Sequence, residues 1–164
     1  MKNKEKIREM TTTALLAVLL AVMGMFRLPS LLPGCEFQLS APFAVCIAAC
    51  FGFKKYLKIG VLASVINLIS GTHTIVNVTI AMIFRLVAGG IISLFGVNPV
   101  TVAVSGPLGT VAGRAVLGGI SGTNPLALIA AALPGMVFTA VGASVMYPVM
   151  KRLVRRETGA LTHS

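Results

Sequence analysis

Apolar residues dominate this chain in long runs that are separated by short polar, glycine or proline breaks. The pattern predicts six helical segments, over about residues 11–26, 40–53, 57–70, 75–95, 99–119 and 125–150. Crossing a bilayer takes about 20 apolar residues as helix. The second and third segments have only about 15, which leaves tilted spans or a re-entrant pair open. We therefore predict an all-α integral membrane protein with six transmembrane helices in one domain, residues 1–164.

Polar residues mark several of the predicted helix starts. Asn98 and Asn124 are each followed by proline, a combination typical of a helix cap and the first helical position. Ser40 is predicted to cap the second helix. Before it, residues 28–38 are rich in proline and glycine and predict a connector.

Basic residues fall into three blocks, near the N-terminus, at 54–58 and at 151–156, in a chain of net charge +10 that is 56% hydrophobic. Because lysine and arginine gather in cytoplasmic loops, both termini and the 54–58 hairpin are predicted to be cytoplasmic. The 28–38 connector and the turns at 71–74 and 120–124 then face outside. No basic stripe is interleaved with aromatic residues, so nucleic acid is not an expected partner.

Acidic residues are nearly absent between the two tails. Glu36 is the single acid there, and the chain has no aspartate. Arg85 and Arg114 nevertheless lie within apolar runs, where an unpaired cation is costly and marks a functional candidate. Because there is no carboxylate pair, acid-rich metal cluster or phosphate-binding loop, we expect no enzyme activity, no catalytic residue, no metal and no cofactor.

Small residues recur at four-residue spacing on two predicted helices. Gly109 and Gly113 share a face of the fifth helix, where packing within the protein is the favoured interpretation. Ala17 and Ala21 share a face of the first helix, with Ala14 close by. For these three alanines, packing within the protein and docking to a partner protein are both possible interpretations.

The chain resembles the substrate-binding S component of energy-coupling factor (ECF) transporters, a family of bacterial vitamin importers, over most of its length. One departure is Gly52-Phe53-Lys54, where the family often has Gly-Pro. The resemblance depends on six helices and on the following motifs: Ala17-x-x-x-Ala21, Glu36-Phe-Gln-Leu-Ser-Ala-Pro-Phe, Cys50-Phe-Gly52, Gly60, and Ile69-Ser-Gly-Thr-His-Thr.

This resemblance implies a subunit that binds a small water-soluble vitamin or precursor near the outer face, in a site built from the later helices and covered by outer loops. It implies a location in the bacterial cell (inner) membrane. It also implies docking of Ala14, Ala17 and Ala21 on a transmembrane T component, with two ATPase subunits supplying the energy.

Polar residues independently converge on the predicted outer half. His73 and Asn77 are one helical turn apart, Arg85 lies two turns deeper, and Arg114 lies near the outer end of the fifth helix. We predict that these residues, with Glu36 and Asn124, form the substrate site. An anionic solute contacting Arg85 or Arg114 is the accompanying prediction, since a guanidinium suits a carboxylate.

Each of these residues also has a structural interpretation. His73 is equally well explained as a turn residue, Asn77 as a partner of a neighbouring helix, and Asn124 is better explained as a cap. A pair between Glu36 and either Arg85 or Arg114 is the main structural rival to solute binding.

Two functional hypotheses follow. The first is a solute-capture subunit of a vitamin importer. The second is a small structural or regulatory membrane protein, such as an assembly factor or an oligomeric holin-like protein, with no solute. The two arginines favour the first, because an oligomeric spacer has little need for cations inside the membrane.

Overall fold

The computed structural model describes the backbone of residues 2–29 and 36–159 and the side chains of residues 3–26 and 38–155. This part of the chain forms six helices, as predicted, and two short antiparallel strands that were not predicted, β1 (Arg27–Pro29) and β2 (Glu36–Gln38). The helices are α1 (Lys2–Met25), α2 (Ser40–Phe51), α3 (Phe53–Ile69), α4 (Ile75–Phe95), α5 (Pro99–Ser121) and α6 (Pro125–Gly159).

Four helices in the described ranges are long and apolar enough to cross a membrane. They are Asn3–Met25, Ile75–Phe95, Pro99–Ser121 and Pro125–Arg155. Their outward faces carry large apolar side chains, for example Leu94, which is 82% exposed, and Leu126, which is 73% exposed. Such surfaces suit lipid rather than water. The chain is a multi-pass membrane protein.

Helix α2 is short but central. Its 12 residues span roughly 18 Å, less than the hydrocarbon core of a bilayer. Residues 42–48 are all buried, and the helix contacts each of the other five. A helix enclosed by protein need not cover the full membrane thickness, because its ends meet other polypeptide rather than lipid. Gly52, at φ 78, then allows the sharp turn into α3.

The outermost helices are longer than predicted. Helix α1 begins at Lys2 rather than near residue 11, and α6 ends at Gly159 rather than near residue 150. The added turns carry the basic tails, whose lysines and arginines are good helix formers. Apolar periodicity could not reveal these turns, because they extend beyond the apolar segments.

One predicted cap is correct and another is wrong. The Asn98 side chain accepts a hydrogen bond from the Thr101 backbone N–H at 2.9 Å, and Thr101 Oγ1 accepts one from the Asn98 N–H at 3.0 Å. Ser40 does not cap α2. It is the first residue of that helix, after Leu39 at the cap position, and no side-chain cap bond forms there.

Helices α4 and α5 pack closely at Gly109 and Gly113 of α5. A Cβ added at Gly109 would lie 3.0 Å from the Phe84 carbonyl oxygen, and one added at Gly113 would lie 3.0 Å from Ile80 Cγ2. The predicted internal packing of this pair is therefore confirmed. The contacts also fix the register of the two antiparallel helices, with Gly109 level with Phe84 and Gly113 level with Ile80.

The bundle has two chemically different ends. Residues 54–58, predicted as a hairpin, form the first turns of α3, and the turn itself is at Gly52. At the basic end, these turns meet the N-terminal turns of α1 and the last turns of α6, with Arg8, Lys55 and Val154 lining one shallow pocket. At the opposite end, here called the cavity end, lie the α3–α4 turn, the α5–α6 turn and strand β2. The three basic blocks of the sequence are thus gathered on one side.

Candidate functional site

A cavity of about 330 Å³ opens within the cavity end of the bundle. Its described lining comes from α1 to α5, strand β2 and the α3–α4 turn, whereas α6 supplies none of it. The other lining residues are apolar or small. The polar side chains on its wall are Gln38, Ser40, Asn67, His73, Asn77, Arg85, Thr110 and Arg114.

Arg85 lies at the deep end of this cavity. It is ten residues into α4, roughly 15 Å from the start of that helix and near the middle of a bilayer. The residue is only 7% exposed. Its Nη1 donates a hydrogen bond to Ser64 Oγ at 2.6 Å and lies 3.6 Å from Met82 Sδ. Gly60 leaves room for the arginine stem, since an added Cβ would lie 2.7 Å from Arg85 Nε.

Arg114 lines the same cavity nearer its mouth. Arg114 comes directly after Gly113, and Gly113 is level with Ile80 of α4. Arg85 comes directly after Phe84, and Phe84 is level with Gly109 of α5. Because α4 and α5 are antiparallel, the two arginine backbones are about six residues apart along the bundle, or roughly 9 Å. Neither guanidinium forms an ion pair with a carboxylate whose side chain the structure describes.

The α3–α4 turn forms part of the mouth and is held by Asn67, which is 3% exposed. Its carbonyl oxygen accepts hydrogen bonds from Thr72 Oγ1 at 3.0 Å and from the His73 N–H at 3.1 Å. Across the mouth, Gln38 Nε2 donates to the Gly24 carbonyl oxygen at 3.4 Å, which ties β2 to the end of α1. These bonds hold the α3–α4 turn and strand β2 in place at the mouth.

Four of the six predicted substrate-site residues line this one cavity: His73, Asn77, Arg85 and Arg114. Asn124 does not line it. Its Oδ1 accepts a hydrogen bond from the Leu126 N–H at 3.0 Å, so it acts as the cap that the sequence favoured. The side chain of Glu36 lies outside the described residues, and its pairing with either arginine stays a prediction.

The sequence analysis missed several polar residues of the wall. Asn67 could have been found, because it is an isolated amide in the apolar run of α3. Gln38, Ser40 and Thr110 carry no such signal, since residues of these types are common in connectors and helices. The cavity also differs from the expected site of the later helices, because α1 and α2 contribute to its described lining and α6 does not.

The small residues of α1 are divided between the interior and the surface. Ala17 and Ala21 are 1% and 0% exposed and belong to the hydrophobic core, whereas Ala14 is exposed. Their small size lets α1 approach the rest of the bundle closely. This is the internal-packing alternative, and it corrects the prediction that the pair presents a docking face, because neither alanine is accessible to another chain in this conformation.

Together, the apolar helices and the enclosed polar cavity define a multi-pass membrane protein with an internal small-molecule-sized site. The sequence is 48% identical to Protein BioX of Lysinibacillus sphaericus over 145 residues, which cover 88% of this chain and 86% of the relative. The chain therefore belongs to the family of Protein BioX. No protein-family model matches the sequence, and no solved structure matches it.

Proposed function

We propose that this protein is the solute-specificity subunit of an ECF-type ABC importer in the bacterial inner membrane. The observation that supports this most is the cavity that joins Arg85, Arg114, Asn77 and His73 inside an otherwise apolar bundle. Ionisable groups are costly at this depth and usually mark a solute pathway or binding site. A volume of about 330 Å³ suits a small molecule.

Membership of the BioX family agrees with a role in vitamin supply. The name of the relative is compatible with a biotin-related membrane component. We extend this to the present chain as part of the proposal, in which the solute is a small water-soluble vitamin or vitamin precursor that carries a carboxylate.

The proposed orientation places the cavity end outside the cell and the basic end in the cytoplasm. The gathering of all three basic blocks at one end supports it, because basic segments stay on the cytoplasmic side. Solute would then enter from the exterior.

Energy for uptake would come from partners: a transmembrane T component and two ATPase subunits. We propose that the T component contacts the outward face of α1, since Ala17 and Ala21 are buried. Leu15 and Val18 on that face are 66% and 50% exposed. The chain itself is proposed not to be an enzyme.

Two measurements test this function. Extraction in mild detergent should co-purify the chain with a T component and two ATPases. Equilibrium binding to purified full-length protein should identify a solute from a panel of vitamins and precursors, with affinity reduced in Asn77→Ala and unchanged in Asn124→Ala, whose side chain lies outside the cavity. A folded protein that binds no member of the panel and co-purifies alone would instead favour the structural or regulatory alternative.

A further inference from the structure

We infer that the cavity is built for a linear dianion, an unbranched α,ω-dicarboxylate whose two ends are bound by Arg85 and Arg114. This inference rests on the proposed solute-binding function and specifies its substrate class. The observation behind it is the placement of two arginines at different depths of one cavity.

The charges in the cavity call for more than one negative group. Two guanidinium groups line it, and no acidic residue is among the described side chains of its wall. Glu36 is the single acid of the sequence outside the two tails. If Glu36 pairs with neither arginine, a condition that Glu36→Gln tests, a monoanionic solute would leave one arginine without a negative partner inside an apolar bundle, which is unfavourable. A dianion supplies one carboxylate to each.

The wall between the two arginines is apolar along α4. On α4, the positions between the level of Arg114 and Arg85 that line the cavity are Ile80, Ala81 and Phe84. On α5, Gly109 and Gly113 pack directly against Phe84 and Ile80, and Thr110 is the polar lining residue of this stretch. A cation at each end and an apolar middle match a polymethylene chain that carries a carboxylate at each end.

The distance between the arginines sets the preferred length. Their backbones are offset by roughly 9 Å along the bundle, and we expect binding to depend on chain length because the two carboxylates must reach their arginines at the same time. Arg85 keeps donors for a deep carboxylate, because a guanidinium has five N–H groups and the bonds to Ser64 and Met82 both use Nη1. Arg114, near Asn77 and His73, would bind the outer carboxylate.

The test is equilibrium binding to the purified full-length chain in detergent. The probes are saturated unbranched dicarboxylates of increasing chain length, the monomethyl ester of each, and biotin as a monocarboxylate vitamin. We expect one intermediate chain length to bind best. Its monomethyl ester should bind about ten- to a hundred-fold more weakly, because it loses one charge-assisted interaction.

Variants assign the two ends. In Arg114→Gln, the preference for the diacid over its monoester should nearly disappear, and Arg85→Gln should behave in the same way. Arg152→Gln, at the exposed basic end, is the matched control and should bind like the parent. Arg85→Lys keeps the charge and should retain part of the preference, which separates loss of charge from loss of fold. Glu36→Gln should bind the diacid at least as tightly as the parent.

The outcomes separate this inference from the function on which it rests. If biotin or a neutral solute binds more tightly than every dicarboxylate, the dianion assignment is overturned and the solute-binding function stands. The assignment is also overturned if the best diacid and its monoester bind equally well. Loss of diacid binding in Glu36→Gln would overturn it too. If the folded parent binds no probe and no vitamin, both proposals fail together.

Discussion

Gly60 and Ser64 are one helical turn apart on α3, and both contact Arg85. Gly60 leaves room for the arginine stem, and Ser64 accepts a hydrogen bond from its guanidinium. Neither residue type is unusual in a membrane helix, so neither was identified as part of a site from the sequence. Their importance comes from an arginine that is 21 residues further along the chain than Ser64.

Gly60→Ala should displace Arg85 and weaken solute binding. The new Cβ would lie within 2.7 Å of Arg85 Nε, too close for an ordinary contact, so the guanidinium must move. We expect an affinity loss of about ten-fold or more, comparable with one charge-assisted hydrogen bond. Gly90→Ala, on α4, is the control, because a Cβ there meets nothing within 4 Å. Equal binding by the two variants would contradict this role of Gly60.

Ser64→Ala should destabilise the protein in the absence of solute. It removes an oxygen acceptor from a buried guanidinium, and leaving such a donor unsatisfied costs about 1–3 kcal/mol. Thermal unfolding in detergent would measure the loss. Ser144→Ala is the matched control, since Ser144 is exposed and bonds only within its own helix in the described structure, to the Ala140 carbonyl. An unfolding temperature equal to that of the control would show that the Ser64 bond contributes little.

At the scale of elements, the site depends on how closely α4 approaches α5. The glycines of α5 bring the backbone of Gly109 against Phe84 and that of Gly113 against Ile80. This close packing sets the register that places Arg114 above Arg85. The prediction of internal packing for these glycines came from their spacing alone, but the partner helix and its register did not.

Gly109→Val should separate α4 from α5 and destabilise the bundle. Its Cβ would lie 3.0 Å from the Phe84 carbonyl oxygen, and a backbone atom cannot rotate away as a side chain can. Overpacking of this kind costs about 1–3 kcal/mol. Gly119→Val on the same helix introduces the same β-branched residue into open space. Thermal unfolding of the two variants should therefore differ, and similar unfolding temperatures would argue against a close-packed interface at Gly109.

At the scale of the whole molecule, polar chemistry is divided between the two ends of the bundle. The basic blocks gather at one end, and the cavity and its polar mouth lie at the other. A bilayer would keep the basic end in the cytoplasm, so the same charge pattern that orients the chain would also turn the cavity outwards.

Cysteine labelling of intact cells tests this orientation. In a variant whose three native cysteines are replaced by serine, Thr123→Cys at the cavity end should react with a membrane-impermeant thiol reagent. Lys54→Cys at the basic end should react only after the cells are opened. Both positions are exposed in the structure, so a difference in labelling would report sidedness. Labelling of position 54 in intact cells would reverse the proposed topology.

The sequence by itself determined the elements that depend on local pattern. Apolar runs and their polar breaks were enough for six helices, and Asn98 and Asn124 marked two of the helix starts. Arg85 and Arg114 stood out because charge in an apolar run is costly wherever the chain folds. The three-residue strands β1 and β2 were not predictable, because they are too short to show an alternating pattern and form only by pairing with each other.

Tertiary structure alone decided which residues from different helices lie in contact or line the same cavity. It enclosed the short helix α2 among the other five, turned Ala17 and Ala21 inwards, and added Asn67, Gln38, Ser40 and Thr110 to the cavity. Helical periodicity shows which residues share a face, but not which helix that face contacts. That choice depends on close packing between distant segments, such as Gly109 against Phe84, and this packing brings both arginines to one cavity.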